Sequence, residues 1–271
     1  MIKQAVIALI FAFGLTVNSP GQTAAPKAPL GIITRKTLEY FRQISDQGFN
    51  DFLRNIRPEK ISPTSRAQML SLLRKEDLVT PSAEGQAKLD ALAPILGYHE
   101  RNSVIEIKVL RVRQATTAFL AGAAVIVTEP ALEILTREEL QAVVAHELAH
   151  EYFWKEYELA RRHQQRQVMQ ELELRCDGIA VITLVRLDLS PESLISAVTR
   201  LTRFNERKGI STTSDIYLSL DDRFHFIHSI IEMVKAKDSA KPLRRQFGAG
   251  DGAAFRSTTI LNIAQQDGFA K

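Results

Sequence analysis

Residues 142–153 read AVVAHELAHEYF. Two histidines four apart, His146 and His150, lie in an apolar run, with Glu147 directly after the first. At 3.6 residues per turn, positions i and i+4 share one face of a helix, so both imidazoles can reach one ion. The helix is expected over 137–157. Thr136-Arg-Glu-Glu139 opens it as a capping box, in which the Thr hydroxyl accepts from a backbone N–H and Glu139 reaches back. Neutral imidazole nitrogens suit Zn²⁺, and a carboxylate beside rather than on the ion is placed to take a proton from water. Flanking Val143, Val144 and Leu148 set this string apart from a chance match in a loop. The plainer alternative is a pair of ordinary histidines in an ordinary helix.

A catalytic site of this kind needs a third protein ligand. The next long helix, expected over about 164–187, contains QELELRCDGIAVITL (170–184). Glu173 and Asp177 are again four apart and share a face. If this helix returns antiparallel, Glu173 completes a His₂Glu set. Asp177 then takes the hydrogen bond from the second nitrogen of a ligand histidine, with His146 as the expected partner. Glu171 competes with Glu173, but it lies two residues away, near the opposite side, and has no acid four residues on. The one cysteine, Cys176, excludes an internal disulfide and a zinc site built of several thiolates. In this apolar stretch it reads as a small buried hydrophobe.

Around these two helices the chain divides by pattern. Lys3 followed by the apolar run Ala5 to Val17 is short of the roughly 20 residues a membrane span needs. With the break at Asn18, Ser19, Pro20 and Gly21 it fits a signal peptide over 1–21, and an uncleaved N-terminal anchor is the alternative. Residues 22–31 read as a flexible leader. Residues 32–100 are expected to form helices, over 36–57, 65–74 and 82–96, packed on a catalytic domain at 101–237. Within that domain, 103–112 alternates as a strand does and 123–128 reads as a buried strand. Pro130 opens a short helical turn. Ser190-Pro191 is expected to cap a helix reaching about Glu206, and a last helix covers 221–236. Residues 238–271 are expected to be loosely ordered.

A charged fraction of 24% with a net charge of +4, and basic residues scattered rather than striped, argue against nucleic acid as a partner. The run RRHQQRQ (161–167) reads as a solvated helix face, with contact to an acidic partner or a membrane surface as the alternative.

Three blocks, TTAFLAGAAVIVTEPALEIL (116–135), LTREELQAVVAHELAH (135–150) and ELRCDGIAVITLVRLDLSPESLISAVTRL (173–201), resemble the gluzincin peptidase family that includes the HtpX, Oma and CAAX-prenyl-protease types. The resemblance covers about residues 103–236. It implies an α+β, mostly helical, zincin-like fold with a small β-sheet beside the active-site helix. It implies zinc on His146, His150 and Glu173, and Glu147 as general base. It also implies a sheet edge, 117–122, that binds an extended polypeptide through Thr117, Ala118, Phe119 and Gly122.

This chain departs from the family in several places. The family often has Asn where Thr117 stands and Ala where Cys176 stands. Arg223 matches an arginine of the family's last helix and joins the expected catalytic set. Tyr217 and Leu218 replace the family's His-Pro pair, which leaves Tyr217 or His225 to donate to the oxyanion, while His225 and His228 read more simply as packed or solvated. The family's membrane-spanning helices are also missing, so the chain resembles a compact exported member, periplasmic or secreted. The expected function is zinc-dependent hydrolysis of peptide bonds. Its rivals are a zinc-bearing scaffold that holds client polypeptides or an envelope protein, and a helical protein with a fortuitous motif.

Overall fold

In the computed structural model, residues 31–210 and 218–239 are described. The expected signal peptide and leader (up to residue 30), Tyr217 and the tail from residue 240 onward lie outside them.

The N-terminal part is helical: α1 (Ile32–Gln47), α2 (Phe49–Asn55), α3 (Pro63–Leu70), α4 (Ala83–Asp90) and α5 (Ala93–Tyr98). The strands are β1 (Glu106–Leu110), β2 (Thr117–Leu120) and β3 (Ala124–Thr128), followed by α6 (Glu129–Ile134) and α7 (Arg137–Ala149). A 3₁₀ turn, His150–Phe153, leads to α8 (Trp154–Arg162), α9 (Arg166–Arg186), α10 (Ser193–Arg207) and α11 (Leu220–Ser239). The fold is α+β and mostly helical, as the sequence leads one to expect. None of the described helices is long and apolar enough to cross a membrane.

The sheet has the order β1-β3-β2, with β3 parallel to β1 and antiparallel to β2. Central β3 is buried along its whole length, so alternation is lost there and the run is apolar throughout. β2 and β3 form a hairpin through Ala121 and Gly122, both at positive φ (41° and 76°), which matches the turn that suits strand twist. β2 is the edge strand nearest α7.

α9 runs through the centre of the molecule, packed by α7, α11 and α1. Its buried residues run almost unbroken from Met169 to Leu184, and those of α7 from Glu139 to Ala149. A helix enclosed on all sides needs no polar stripe, which is why neither segment shows strong amphipathic periodicity. The apolar core is continuous across residue 100, from Leu38 of α1 to Val234 of α11.

Several boundaries differ from expectation, each for a local reason. The helix expected over 36–57 is two helices, because Gly48 at φ 96° breaks the chain where an L side chain would be strained. The helix expected over 82–96 is interrupted after Asp90, and Pro94 begins a new one in its first turn. Ser82 caps α4 by accepting from Gly85 N–H. The strand expected over 103–112 is confined to Glu106–Leu110. Ser190 does not cap α10: its hydroxyl donates to Glu192 Oε2, and that helix starts through a tight turn closed by Ser193 N–H on the Ser190 carbonyl. The capping box at Thr136 is complete in both directions.

Gly178 sits in the middle of α9, where glycine costs helix stability. The reason is Phe41: a Cβ at 178 would lie 2.2 Å from Phe41 Cζ. Phe41 is fully buried and packs edge-on against Phe226 of α11, with ring centroids 6.0 Å apart. Gly178→Ala is therefore expected to destabilise the protein by about 1–3 kcal/mol through overpacking. Adding Phe41→Leu should return part of that loss in a denaturant titration. A Gly178→Ala protein as stable as wild type would contradict this packing.

Candidate metal centre

α7 presents His146, and His150 follows one turn on at the start of the 3₁₀ turn, with ring centroids 5.0 Å apart and the ring planes at 82°. α9 brings Glu173 to both. Glu173 Oε2 lies 3.5 Å from His146 Nε2, and Glu173 Oε1 lies 3.8 Å from His150 Nε2. One ligand atom from each of the three falls within 4.8 Å of the others. Their partners face the other way: His146 Nδ1 is 2.8 Å from Asp177 Oδ1, and His150 Nδ1 is 3.5 Å from Cys176 Sγ. Both Nε2 atoms are thus turned toward the Glu173 carboxylate.

These residues fit a cation. Glu173 Oε2 is buried and accepts no hydrogen bond among the described residues, an arrangement that is costly for a carboxylate unless something positive satisfies it. Two imidazoles and one carboxylate are also a donor set that zinc favours. Burial works to raise the Glu173 pKa, but the neighbouring imidazoles win and hold it below the usual carboxylate value.

The support behind His146 is a buried chain of charges. Arg223 of α11 donates from Nε to Asp177 Oδ2 at 2.6 Å and from a terminal nitrogen to Oδ1 at 2.7 Å. Asp177 is fully buried and Arg223 is 3% exposed. Burial would raise the Asp177 pKa. The Arg223 charge and the His146 hydrogen bond outweigh it, so Asp177 stays ionised, and the same contact raises His146 against its own burial. The bidentate geometry places Arg223 behind the imidazole as the partner of Asp177.

Glu147 projects from α7 beside the cluster, and its Oε1 accepts from the Thr117 hydroxyl at 2.8 Å. Burial pushes its carboxyl up to about 7, against the pull of His146 and of the Thr117 hydrogen bond. Thr117, expected to line a substrate edge, also holds Glu147. Thr117, Ala118, Phe119 and Gly122 are all buried.

The remaining candidates are dispersed. Glu171 turns away and pairs with Lys36 at 2.7 Å and with Arg175, so it does not compete for the centre. His225 and His228 are exposed on α11, and Tyr217 lies outside the described residues. Sequence reasoning missed the Cys176 contact with His150. Its signal was the spacing, since 173, 176 and 177 share one helix face.

The expected single helix over 137–157 instead tightens at His150 into the 3₁₀ turn. Two buried contacts hold that turn. Arg101 Nε donates to Glu151 Oε2 at 2.6 Å, while another Arg101 nitrogen donates to the Pro58 carbonyl at 2.7 Å. Tyr152 Oη lies 2.8 Å from His99 Nδ1, and His99 Nε2 lies 3.1 Å from Thr183 Oγ1. Thr183 gives its own proton to the Ile179 carbonyl, so it accepts from His99 Nε2–H, and His99 Nδ1 accepts from Tyr152. This neutral tautomer agrees with a His99 pKa pushed down to about 3, first by burial and then by Arg57 and Arg101.

Residues 81–186 match the sequence model of Peptidase family M48. The match runs from α4 to the end of α9 and so contains the sheet, His146, Glu147, His150, Glu173 and Asp177. Arg223 lies beyond it, as does α1 with Phe41. No curated protein matches the chain. The M48 match supports a metal-dependent peptidase, and the buried His146, His150 and Glu173 form a group able to bind the metal.

Two outcomes follow from the support network. Arg223→Met leaves Asp177 buried without its cationic partner and should cost about 3–5 kcal/mol in unfolding free energy. Adding Asp177→Asn should recover part of this loss, and an Arg223→Met protein of wild-type stability would contradict the pairing. His99 gives a pH dependence. Its folded pKa is below the unfolded value, so its contribution is present above about 6.5 and is lost as pH falls toward about 3. The stability gap between wild type and His99→Gln should therefore narrow from pH 6.5 to pH 4. Parallel stability curves would contradict the neutral buried tautomer.

Proposed function

We propose that this protein is a zinc-dependent endopeptidase with Glu147 as its general base. The observation that carries the reading is the buried convergence of His146, His150 and Glu173 beside Glu147, on the two helices that the M48 match covers. His146, His150 and Glu173 would hold the zinc. When bound, zinc polarises the scissile carbonyl and lowers the pKa of water toward about 7.

The other roles belong to the chain's own groups. Glu147 takes the proton of the attacking water and passes it to the leaving amine. The Thr117 hydroxyl fixes Glu147 Oε1, which leaves Oε2 as the proton-accepting atom. Asp177 and Arg223 fix the tautomer and direction of His146. An extended polypeptide lies along the outer edge of β2, at Thr117, Ala118 and Phe119, and reaches Gly122 in the turn that follows. In support, β2 has one neighbour in the described sheet and carries Thr117 to the base. Tyr217 is the candidate donor to the oxyanion, since His225 points to solvent. The N-terminal run Ala5 to Val17 supports an exported protein, periplasmic or secreted, or one held at the membrane by that run.

Purified protein should carry zinc at one equivalent and cleave an unfolded substrate such as casein, and a chelator should stop it. Glu147→Gln should keep its zinc and lose about 10²–10⁴-fold in turnover, the range for a lost acid–base group. Cleavage by Glu147→Gln at the wild-type rate would refute the base, and a zinc-loaded wild type that cleaves no peptide bond would refute the peptidase.

A further inference from the structure

His146 and His150 are held by different chemistry. Behind His146 stands a carboxylate, itself gripped by an arginine. Among the described residues no acid stands at the Nδ1 of His150. Its hydrogen-bond partner among the described residues is Cys176 Sγ, at 3.5 Å, within reach for a sulfur contact. Tyr157 packs edge-on against the other side of the ring, with centroids 5.5 Å apart and planes at 82°. Cys176 is fully buried, and the His150 side chain is 12% exposed. Cys176 also lies three residues from Glu173 and one from Asp177, on the α9 face that supplies the cluster. An independent sign that this face serves a cation is Glu173 Oε2, buried and without a hydrogen bond among the described residues.

We infer that Cys176 is a positioning residue for the metal centre: its sulfur receives the Nδ1–H of His150 and aims Nε2 at the ion. The inference rests on the zinc-binding reading above. An imidazole that binds a metal through Nε2 carries its proton on Nδ1, and that N–H needs an acceptor to fix the ring. A thiol sulfur is a weak acceptor that is also a weak donor. Cys176 can therefore accept from Nδ1–H in the metal-binding tautomer and donate to Nδ1 in the other, without the negative charge that Asp177 supplies to His146. Alanine can do neither, and it would leave a buried Nδ1–H without an acceptor. The centre is thereby asymmetric, with one imidazole fixed by an ionised pair and the other by a neutral, polarisable atom.

The test is a Zn²⁺ titration of the full chain against a competing chelator, for wild type, Cys176→Ala and Cys176→Ser. Wild type should bind one equivalent. Cys176→Ala should bind about tenfold more weakly, the lower end of the effect of removing an outer partner of a ligand histidine. Cys176→Ser, which keeps an acceptor and a donor, should stay within about twofold of wild type on the same footing. The visible spectrum of the Co²⁺ form should shift in Cys176→Ala and return in Cys176→Ser, a readout that mere packing would not restore.

Equal affinity in Cys176→Ala and wild type would overturn the inference and leave the zinc reading standing. So would an equal loss in both variants, since that would make sulfur packing the cause. If Cys176→Ala does not fold, long-range ¹H–¹⁵N spectra of zinc-loaded wild type decide. The Nδ1–H tautomer of His150, with a slowly exchanging proton, is expected, and a rapidly exchanging Nδ1 proton overturns the inference. A wild type that takes up no zinc would remove the zinc reading itself, a result distinct from the others.

Discussion

Asp177, fully buried on α9, meets His146 of α7 at Oδ1 and accepts from Arg223 of α11 at both of its oxygens. One carboxylate thus ties together the three helices that enclose the site. Ionised side chains at this depth are costly unless each has a partner of opposite charge and good geometry. That requirement fixes the relative rotation of α7, α9 and α11. Once they are rotated so that Asp177 is satisfied, Glu173, one turn earlier on α9, must face the two Nε2 atoms. The direction of the metal-facing atoms is therefore a by-product of satisfying the charges behind them.

The apolar packing acts on the same point from outside. Phe41 of α1 occupies the space that the missing side chain of Gly178 leaves next to Asp177, and it reaches Phe226, three residues from Arg223. On the other side, the Arg101–Glu151 and His99–Tyr152 contacts hold the 3₁₀ turn that begins at His150. Residues far apart in the chain, from α1, the turn after α5, and α11, thus limit how far either imidazole can move. Thr117 does the same for Glu147 from the sheet. The site is rigid by enclosure, as a centre must be when its ligands are to keep one geometry.

How much of this is legible in the sequence depends on the range of each interaction. The capping box at Thr136, the His146/His150 pair and the Glu173/Asp177 pair follow from helix periodicity, which is local. Two strands also followed from local pattern, while the family resemblance added the sheet edge at 117–122 and its place beside the active-site helix. The break at Gly48 and the restart at Pro94 were visible as residue types but were read through, because apolar periodicity continues across them. The 3₁₀ turn at His150 was not legible, since it depends on Arg101 and His99, about fifty residues earlier. Arg223 was found through the resemblance, but its role was not: only the fold shows that its guanidinium faces Asp177. Cys176 was read as a small hydrophobe because an isolated cysteine in an apolar helix gives no hint of an imidazole at its sulfur.

In the proposed function two imidazoles and one carboxylate, with no sulfur, grip a single zinc ion. X-ray absorption at the zinc edge of the loaded protein tests it directly. A first shell of nitrogen and oxygen at ~2.0–2.1 Å, with the outer-shell signature of two imidazoles, is expected. A sulfur scatterer near ~2.3 Å, or a shell without imidazole, would contradict it.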